Sequence, residues 1–571
     1  MWCGNCNIET NADTCPVCGE ATVEDLPVEI RWCSHCKVPV INTVSQSDKG
    51  ICPLCGKKTK YLSADLRPVF PEERLLIELI LDKEPHFWRD SSVWACNNRY
   101  YVDGKPISMS NTIYETCDAN QIAVALQNGE PSNSYNTFDQ NIRLFIAANQ
   151  RRLDFLKDEA IQFIQRAASK YKPEQIVASF SGGKDSTVTA DLAIKALSNP
   201  SLVHIFGDTT LEFPATSEYA ERYRAAHPEA IFQIARNDDQ NFYEVCDDIG
   251  PPARMMRWCC SMFKTGPITR IINSLYGSEQ ILTFYGIRKS ESVSRSKYNR
   301  IEDSADAIKI KQQTVASPIF FWKDIDIWLY ILGENIDFNE AYRRGYDRVG
   351  CWCCPNNTPR AQALSRIYMP EQSKAWRDFL ISFAKRIGKL DPETYVDTGK
   401  WKARQGGNGL TSANDVKIRF TNCTAEDHAK IYRLVRPFDD ELTGMFVPFG
   451  RVAPELGKRI LREVIVLDSR TNVPILSLQP FTQDGYDYAV KVRTMNVADH
   501  DNLQRMVGYQ IRKFNVCRKC LKCESVCRAG AISISSTGYY IDPAKCIHCK
   551  ACMTAKYIDG GCTMDKYLRT K

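Results

Sequence analysis

Twenty of the 25 cysteines in this 571-residue chain fall into five sets of four, and most stand in Cys-x-x-Cys pairs. Such a pair turns two thiolates toward one metal centre, and two pairs complete a tetrahedral ligand set. Cys3 and Cys6 precede Cys15 and Cys18; Cys33 and Cys36 precede Cys52 and Cys55. Both second pairs read Cys-Pro-x-Cys-Gly, so the unit occurs twice. The short spacings favour Zn2+, one ion per set, with a single iron as the chemical alternative. In a segment so poor in large apolar residues the metal would supply the folding energy. Lys57, Lys58 and Lys60 follow the second unit and read either as a nucleic-acid contact or as a solvated basic face.

A second chemistry sits in Ser181-Gly182-Gly183-Lys184-Asp185-Ser186-Thr187. Two glycines allow a tight turn and close approach to a phosphate. A helix starting there offers free N–H groups and the positive end of its dipole. Lys184 adds a mobile positive charge, and Ser186 and Thr187 add hydroxyl donors. The spacing is not the Walker one, which needs four residues between Gly and Gly-Lys-Ser/Thr. A bland Gly-Gly turn before a helix is the alternative.

These residues need a frame. Gln175–Phe180 is a short apolar run ending at the glycine loop, and Val188, Leu192 and Ala196 follow at helical spacing. Leu202–Phe206 ends at Gly207-Asp208, and Ile281–Tyr285 ends at Gly286. Apolar runs alternating with amphipathic stretches predict a parallel sheet with crossover helices, an α/β fold. Polar residues placed just after such strands lie at the carboxyl edge, where α/β folds bind ligands.

The loop resembles the pyrophosphate loop (PP-loop) of the ATP pyrophosphatases and phosphoadenosine phosphosulfate (PAPS) reductases. Gly207-Asp208-Thr209-Thr210-Leu211-Glu212-Phe213-Pro214, Gly286-Ile287-Arg288-Lys289-Ser290-Glu291-Ser292 with Arg295, and Ser317-Pro318-Ile319 with Trp322, Asp326 and Trp328 resemble later family segments. The resemblance implies that Ser181, Gly182, Gly183, Lys184, Asp185 and Ser186 hold the nucleotide phosphates, with Asp208 near the ribose or a Mg2+. It implies that Arg288 and Arg295 grip an anionic substrate, for which planar guanidinium forks suit phosphate or sulfate. Catalysis would rest on Lys184, Asp185, Arg288 and Arg295. Cys259-Cys260 with the distant Cys351-x-x-Cys354 resembles the [4Fe–4S] signature of the adenosine phosphosulfate (APS) reductase branch and of related DNA sulfurtransferases; buried free thiols or a zinc site are the alternatives. Phe263 stands where an arginine usually precedes the lysine, here Lys264. The Glu-Cys-Gly-Leu-His-like segment that carries the reductases' nucleophilic cysteine is missing from the sequence.

At the other end, Cys517-x2-Cys520-x2-Cys523-x3-Cys527 matches the bacterial ferredoxin run. Cys546, Cys549 and Cys552 begin a second run, completed by Cys562. The two-cluster rule assigns Cys527 to the second cluster and Cys562 to the first. Two [4Fe–4S] clusters, a single one, or a structural zinc site are the readings. Together with the ribbons this predicts residues 1–60 as two zinc ribbons, 61–170 as a mixed, mainly helical region around a short β-like piece near Arg99–Val102, 171–400 as the nucleotide domain, 401–510 as an α+β unit without a readable motif, and 511–571 as a ferredoxin-like module.

The formal charge of +6 is small for this length and demands no nucleic-acid partner. No apolar window of 18 residues appears, and the N-terminus lacks the regions of a signal peptide, so a cytoplasmic protein without membrane contact is expected. In a reducing compartment this cysteine pattern points to metal rather than disulfides. Three functions follow. The first is an ATP-dependent sulfurtransferase, using Mg2+, a sulfur donor protein and an acceptor that could be a nucleic acid. The second is an APS or PAPS reductase fed with electrons through the fused module. The third is a non-catalytic scaffold that binds nucleotide and clusters.

Overall fold

The computed structural model describes all residues except 1, 4–7, 11, 23–27, 44–49, 129–134, 136, 304–309, 311, 557 and 571. Its centre is a six-stranded sheet. Strands β1 (Ile176–Phe180), β2 (Val203–Gly207), β3 (Ile231–Ala235), β4 (Ile281–Phe284), β5 (Ile301–Glu302) and β6 (Gln313–Ala316) lie in the order β3-β2-β1-β4-β6-β5. All neighbours are parallel except the short edge strand β5. Central strand β1 is apolar except for Ser179, because both of its faces are covered, as parallel sheets require. The α/β class with a parallel-sheet core is therefore the fold.

Helix α1 (Lys184–Leu197) leaves the glycine loop and buries Val188, Leu192 and Ala196 on the sheet. Helix α2 (Pro214–Ala226) follows β2, and helix α3 (Gly266–Tyr276) precedes β4. Beyond Asp326, helix α4 (Asp324–Gly333) is apolar all round, with Trp328, Leu329 and Tyr330 buried. A helix apolar on every side must be buried on every side. Helices 138–148 and 150–168 pack over it, and Arg152 pairs with the buried Asp326 at 2.9 Å.

The second cysteine unit is not a free-standing bead. Its three antiparallel strands, Val28–Cys33, Val38–Thr43 and Lys60–Ser63, carry Ile30, Trp32, Val40 and Ile41 into the same core as Phe145, Phe180 and Trp328. Asn149 ties it down, accepting from the Ile41 N–H at 2.7 Å and donating to the Pro39 carbonyl at 3.0 Å.

Residues 401–510 form a six-stranded antiparallel sheet from Phe420 to Thr494, backed by helix α5 (His500–Val516). That sheet shares its core with the cysteine-rich C-terminal segment through Leu476, Val490, Ile511, Val526 and Ile541. The same segment also faces the nucleotide domain. Val516, Cys520, Cys562, Tyr567 and Leu568 join one apolar cluster with Trp258, Met262, Phe263 and Trp401. No helix among the described residues is long and apolar enough to cross a membrane.

Candidate nucleotide and metal sites

The glycine loop runs from the end of β1 into α1, at the carboxyl edge of the sheet. Gly182 has φ +67°, and a Cβ there would fall 2.8 Å from Thr216 Cγ2. Gly286, at the end of β4, lies so close to the Asp185 carbonyl that a Cβ would sit 2.6 Å away. Both positions therefore require glycine. The buried Asn339 donates to the Gly182 carbonyl at 3.0 Å, and Ser186 Oγ closes the turn against the Gly183 carbonyl at 2.8 Å. Thr187 differs from its expected role: its hydroxyl turns into the core and bonds Tyr219 at 2.9 Å, so it offers nothing to a ligand.

Lys184 is not the mobile charge that the sequence suggests. It is buried, lies 3.2 Å from Asp324 and 3.6 Å from Asp185, and sits over the Tyr342 ring. Burial opposes its charge, but Asp185 and Asp324 outweigh that and hold its pKa above the usual lysine value. Arg288 enters the same cluster, 2.5 Å from Asp185 and 2.9 Å from Asp324. Burial pushes the Asp185 carboxyl up, yet Arg288 and Lys184 bring it below the ordinary carboxylate range. Arg295 pairs with Glu291, and burial together with nearby Arg348 lowers its pKa. Asp208, at the end of β2, is engaged by Arg236.

Two members of this constellation, Asp324 and Asp65, are not among the residues singled out in the sequence. Asp65 follows the last strand of the second cysteine unit and accepts from the Asp324 and Ile325 N–H groups at 3.0 and 3.1 Å. It caps α4 and thereby places the Asp324 carboxylate against Lys184 and Arg288. Burial and the Asp324 charge raise its pKa to about 6. A pattern search could not have singled it out, because a lone aspartate before a leucine carries no signal until the chain folds.

The cysteines divide by sulfur spacing. Cys33, Cys36, Cys52 and Cys55 have all four sulfurs within 4.8 Å of one another. Cys3, Cys15 and Cys18 do likewise, while Cys6 lies outside the described residues. Four-coordinate Zn2+ with ligands ~2.3 Å from the ion needs sulfurs about this close, so these donor sets fit one small ion each. Among the described residues no other group of Cys, His, Asp or Glu gathers so tightly.

The remaining sets are wider. Cys259 and Cys260 stand in a short helical turn, and Arg257 donates to Cys260 Sγ at 3.4 Å. Cys351 reaches them from a loop that bridges to Glu212, with Thr209 Oγ1 3.4 Å from its sulfur. The hydrogen bond to Cys260 and burial raise the Cys259 thiol, and Cys351 and Cys353 add to the effect. Arg257 feels Cys260, Cys354 and Cys259 together. The four thiols thus face a common neighbourhood, with Cys353 buried beside them. In the C-terminal segment Cys562 lies against Cys517, Cys520 and Cys523, whose charges join burial in raising its thiol. Cys527, Cys546, Cys549 and Cys552 line one apolar cavity with Ile532 and Ile541. Thiols that converge without touching fit a polynuclear centre better than a single ion.

This geometry gives an α/β domain with a buried charge cluster at its glycine loop, accompanied by cysteine groups that could hold metal. Residues 175–357 match the model of the phosphoadenosine phosphosulfate reductase domain, which supports the PP-loop superfamily for that stretch. Over 275 residues the chain is 34% identical to an uncharacterized protein of Methanocaldococcus jannaschii, covering 48% of this chain and 55% of that one. A second uncharacterized protein of the same organism is 29% identical, covering 46% and 61%. The chain thus spans less than two thirds of the length of both relatives. Adenosine 5'-phosphosulfate reductase of Oceanobacillus iheyensis is 29% identical over 197 residues, 34% of this chain and 77% of that enzyme.

Proposed function

We propose that the chain is an iron–sulfur enzyme of the PAPS reductase type that performs sulfur chemistry through an adenylyl nucleotide, as an ATP-dependent sulfurtransferase. The observation that carries the reading is the buried constellation of Lys184, Arg288, Asp185 and Asp324 around a glycine loop at a helix N-terminus. Two cations held by two carboxylates are positioned in advance for phosphate oxygens, which would take over the cations' contacts. In this reading an acceptor oxygen attacks the α-phosphorus of ATP and pyrophosphate leaves. A hydrosulfide-level nucleophile then displaces AMP, leaving sulfur on the acceptor. Lys184, Arg288 and the N–H groups of residues 182–186 would stabilise charge as it develops on the phosphates. Mg2+ bound with ATP would add charge neutralisation. Arg295 and Arg348, on the same side, would hold an anionic portion of the acceptor.

The metal reading accompanies it: Zn2+ in the two N-terminal sets, and [4Fe–4S] clusters on Cys259, Cys260, Cys351 and Cys354, on Cys517, Cys520, Cys523 and Cys562, and on Cys527, Cys546, Cys549 and Cys552. These clusters would supply one-electron chemistry or a tuned field, and the chain's residues do the binding and orienting. A reductase is the second reading. It is favoured by the likeness to an adenosine 5'-phosphosulfate reductase and by the seating of the C-terminal cysteines against the Cys259–Cys260 turn. The missing nucleophilic-cysteine segment weighs against it; Cys423, in a hairpin of the 401–510 sheet, is no substitute.

The test is anaerobic incubation of purified protein with ATP, APS and PAPS in separate reactions. Pyrophosphate and AMP from ATP, dependent on Mg2+, support the sulfurtransferase. Sulfite from APS or PAPS without Mg2+ overturns it in favour of the reductase. Binding without turnover of any nucleotide leaves the scaffold.

A further inference from the structure

Lys513 is fully buried. It lies on α5, between the 401–510 sheet and the C-terminal cysteines, and no motif includes it. Its ammonium donates to the Cys552 carbonyl at 2.8 Å and sits 5.3 Å from the centre of the Tyr539 ring. The Cys523 sulfur approaches the same carbonyl, at 3.9 Å. Cys523 belongs to the first C-terminal cysteine set and Cys552 to the second, so Lys513 stands where the two sets meet. Among the described residues no carboxylate forms an ion pair with it. A buried ammonium with one neutral acceptor and a ring face is costly unless negative charge stands close by. Centres ligated by four thiolates each provide that charge, and each gains one more negative unit on reduction.

We propose that Lys513 is the charge that sets the reduction potential of the C-terminal metal pair, stabilising an electron on either centre and so raising both potentials. This rests on the reading that both C-terminal sets hold [4Fe–4S] clusters. The electron comes from an external one-electron donor; the cluster that takes it is reduced, the donor is oxidised, and Lys513 keeps its proton throughout. Its position makes the effect shared. A surface lysine would be screened by water and salt, whereas this ammonium acts through protein alone.

The experiment is a potentiometric titration of the full-length, anaerobically purified protein with dithionite, followed by electron paramagnetic resonance. Wild type is compared with Lys513→Met, Lys513→Gln and Lys513→Arg. Iron content and the visible spectrum, measured first, decide whether clusters are present at all. An iron-free wild type therefore overturns the underlying reading, not merely the role of the lysine. With clusters present, Met and Gln variants should be harder to reduce by at least tenfold in the equilibrium, 59 mV for one electron. Arg should stay within threefold of wild type. Gln retains a donor for the Cys552 carbonyl, so a purely structural lysine would leave its potential unchanged, and that result overturns the proposal. If Met fails to assemble, Gln alone decides.

Discussion

The two cysteine-rich ends use the same residue and the same Cys-x-x-Cys pairs, yet they are built differently. In the second N-terminal unit, Cys33 and Cys55 approach to 3.6 Å and Cys36 and Cys52 to 3.9 Å. In the C-terminal segment Cys527, Cys546, Cys549 and Cys552 stand around a cavity. The N-terminal strands pass straight into the main core, while the C-terminal segment bridges two cores. Spacing along the chain selects thiolate ligation; sulfur spacing in space selects what is ligated. On the metal reading proposed above, the first region should answer for folding and the second for electrons.

The sharpest break of this contrast is Cys52→Ser. A structural Zn2+ supplies about 10–16 kcal/mol in small peptides, as much as the whole stability of an ordinary domain, about 5–15 kcal/mol. With Cys52 and Cys33 fully buried against Trp32 and Ile41, the variant should be insoluble or melt far below wild type. Soluble protein with full zinc and an unchanged melt would refute a folding role. Cys549→Ser should do the opposite. Cys549 is exposed, so its loss should remove about four irons by metal analysis while zinc and nucleotide binding stay at wild-type levels.

Lys184→Ala isolates the region between the two ends. Losing one preorganised charge of this kind costs about 10²–10³ in rate, so nucleotide turnover should fall at least 100-fold with iron and zinc unchanged. Retained turnover would move the site elsewhere.

The smallest effect tests the link from the N-terminal unit to the loop. Asp65 has a pKa raised to about 6, so its ionised form is the unfavourable one: the charge appears as pH rises through 6 and is gone below it. Losing a negative charge beside the phosphate site tightens anion binding. Nucleotide affinity of the wild type should therefore rise roughly three- to tenfold from pH 7 to 5, and Asp65→Asn should flatten that rise. Titration calorimetry at several pH values, with identical profiles for both proteins, would sever the link.

Much of the central frame was legible before folding. The run 176–180, the loop 181–187 and the spacing of Val188, Leu192 and Ala196 define a strand, a turn and a helix through purely local rules. Other features depend on distant neighbours. Thr187 is a hydroxyl beside a glycine loop in sequence, but the helix phase points it at Tyr219. Lys184 reads as a mobile loop charge, and Lys513 carries no signal at all, until the folded chain buries both. The 401–510 sheet reads from sequence only as an α+β unit, because the pairing that closes it, Ala429–Leu434 with Tyr488–Thr494, joins strands far apart in the chain. Asp65 lies 259 residues from the N–H group it caps.

The shared cluster around Trp258, Phe263, Tyr567 and Leu568 also has a consequence in time. A Cβ on Gly266 would meet Leu521 Cβ at 2.4 Å, so the late segment seats directly on the early one. On the ribosome the Cys259–Cys260 turn emerges roughly 300 residues before Tyr567. At about 5–20 residues per second, that interval is roughly 15–60 s. Throughout it the wall later formed by Tyr567 and Leu568 is not yet made, and the two thiols stand open on that side. On the proposed metal reading, the segment carrying Tyr567 and Leu568 seats over a site that biosynthesis first leaves open.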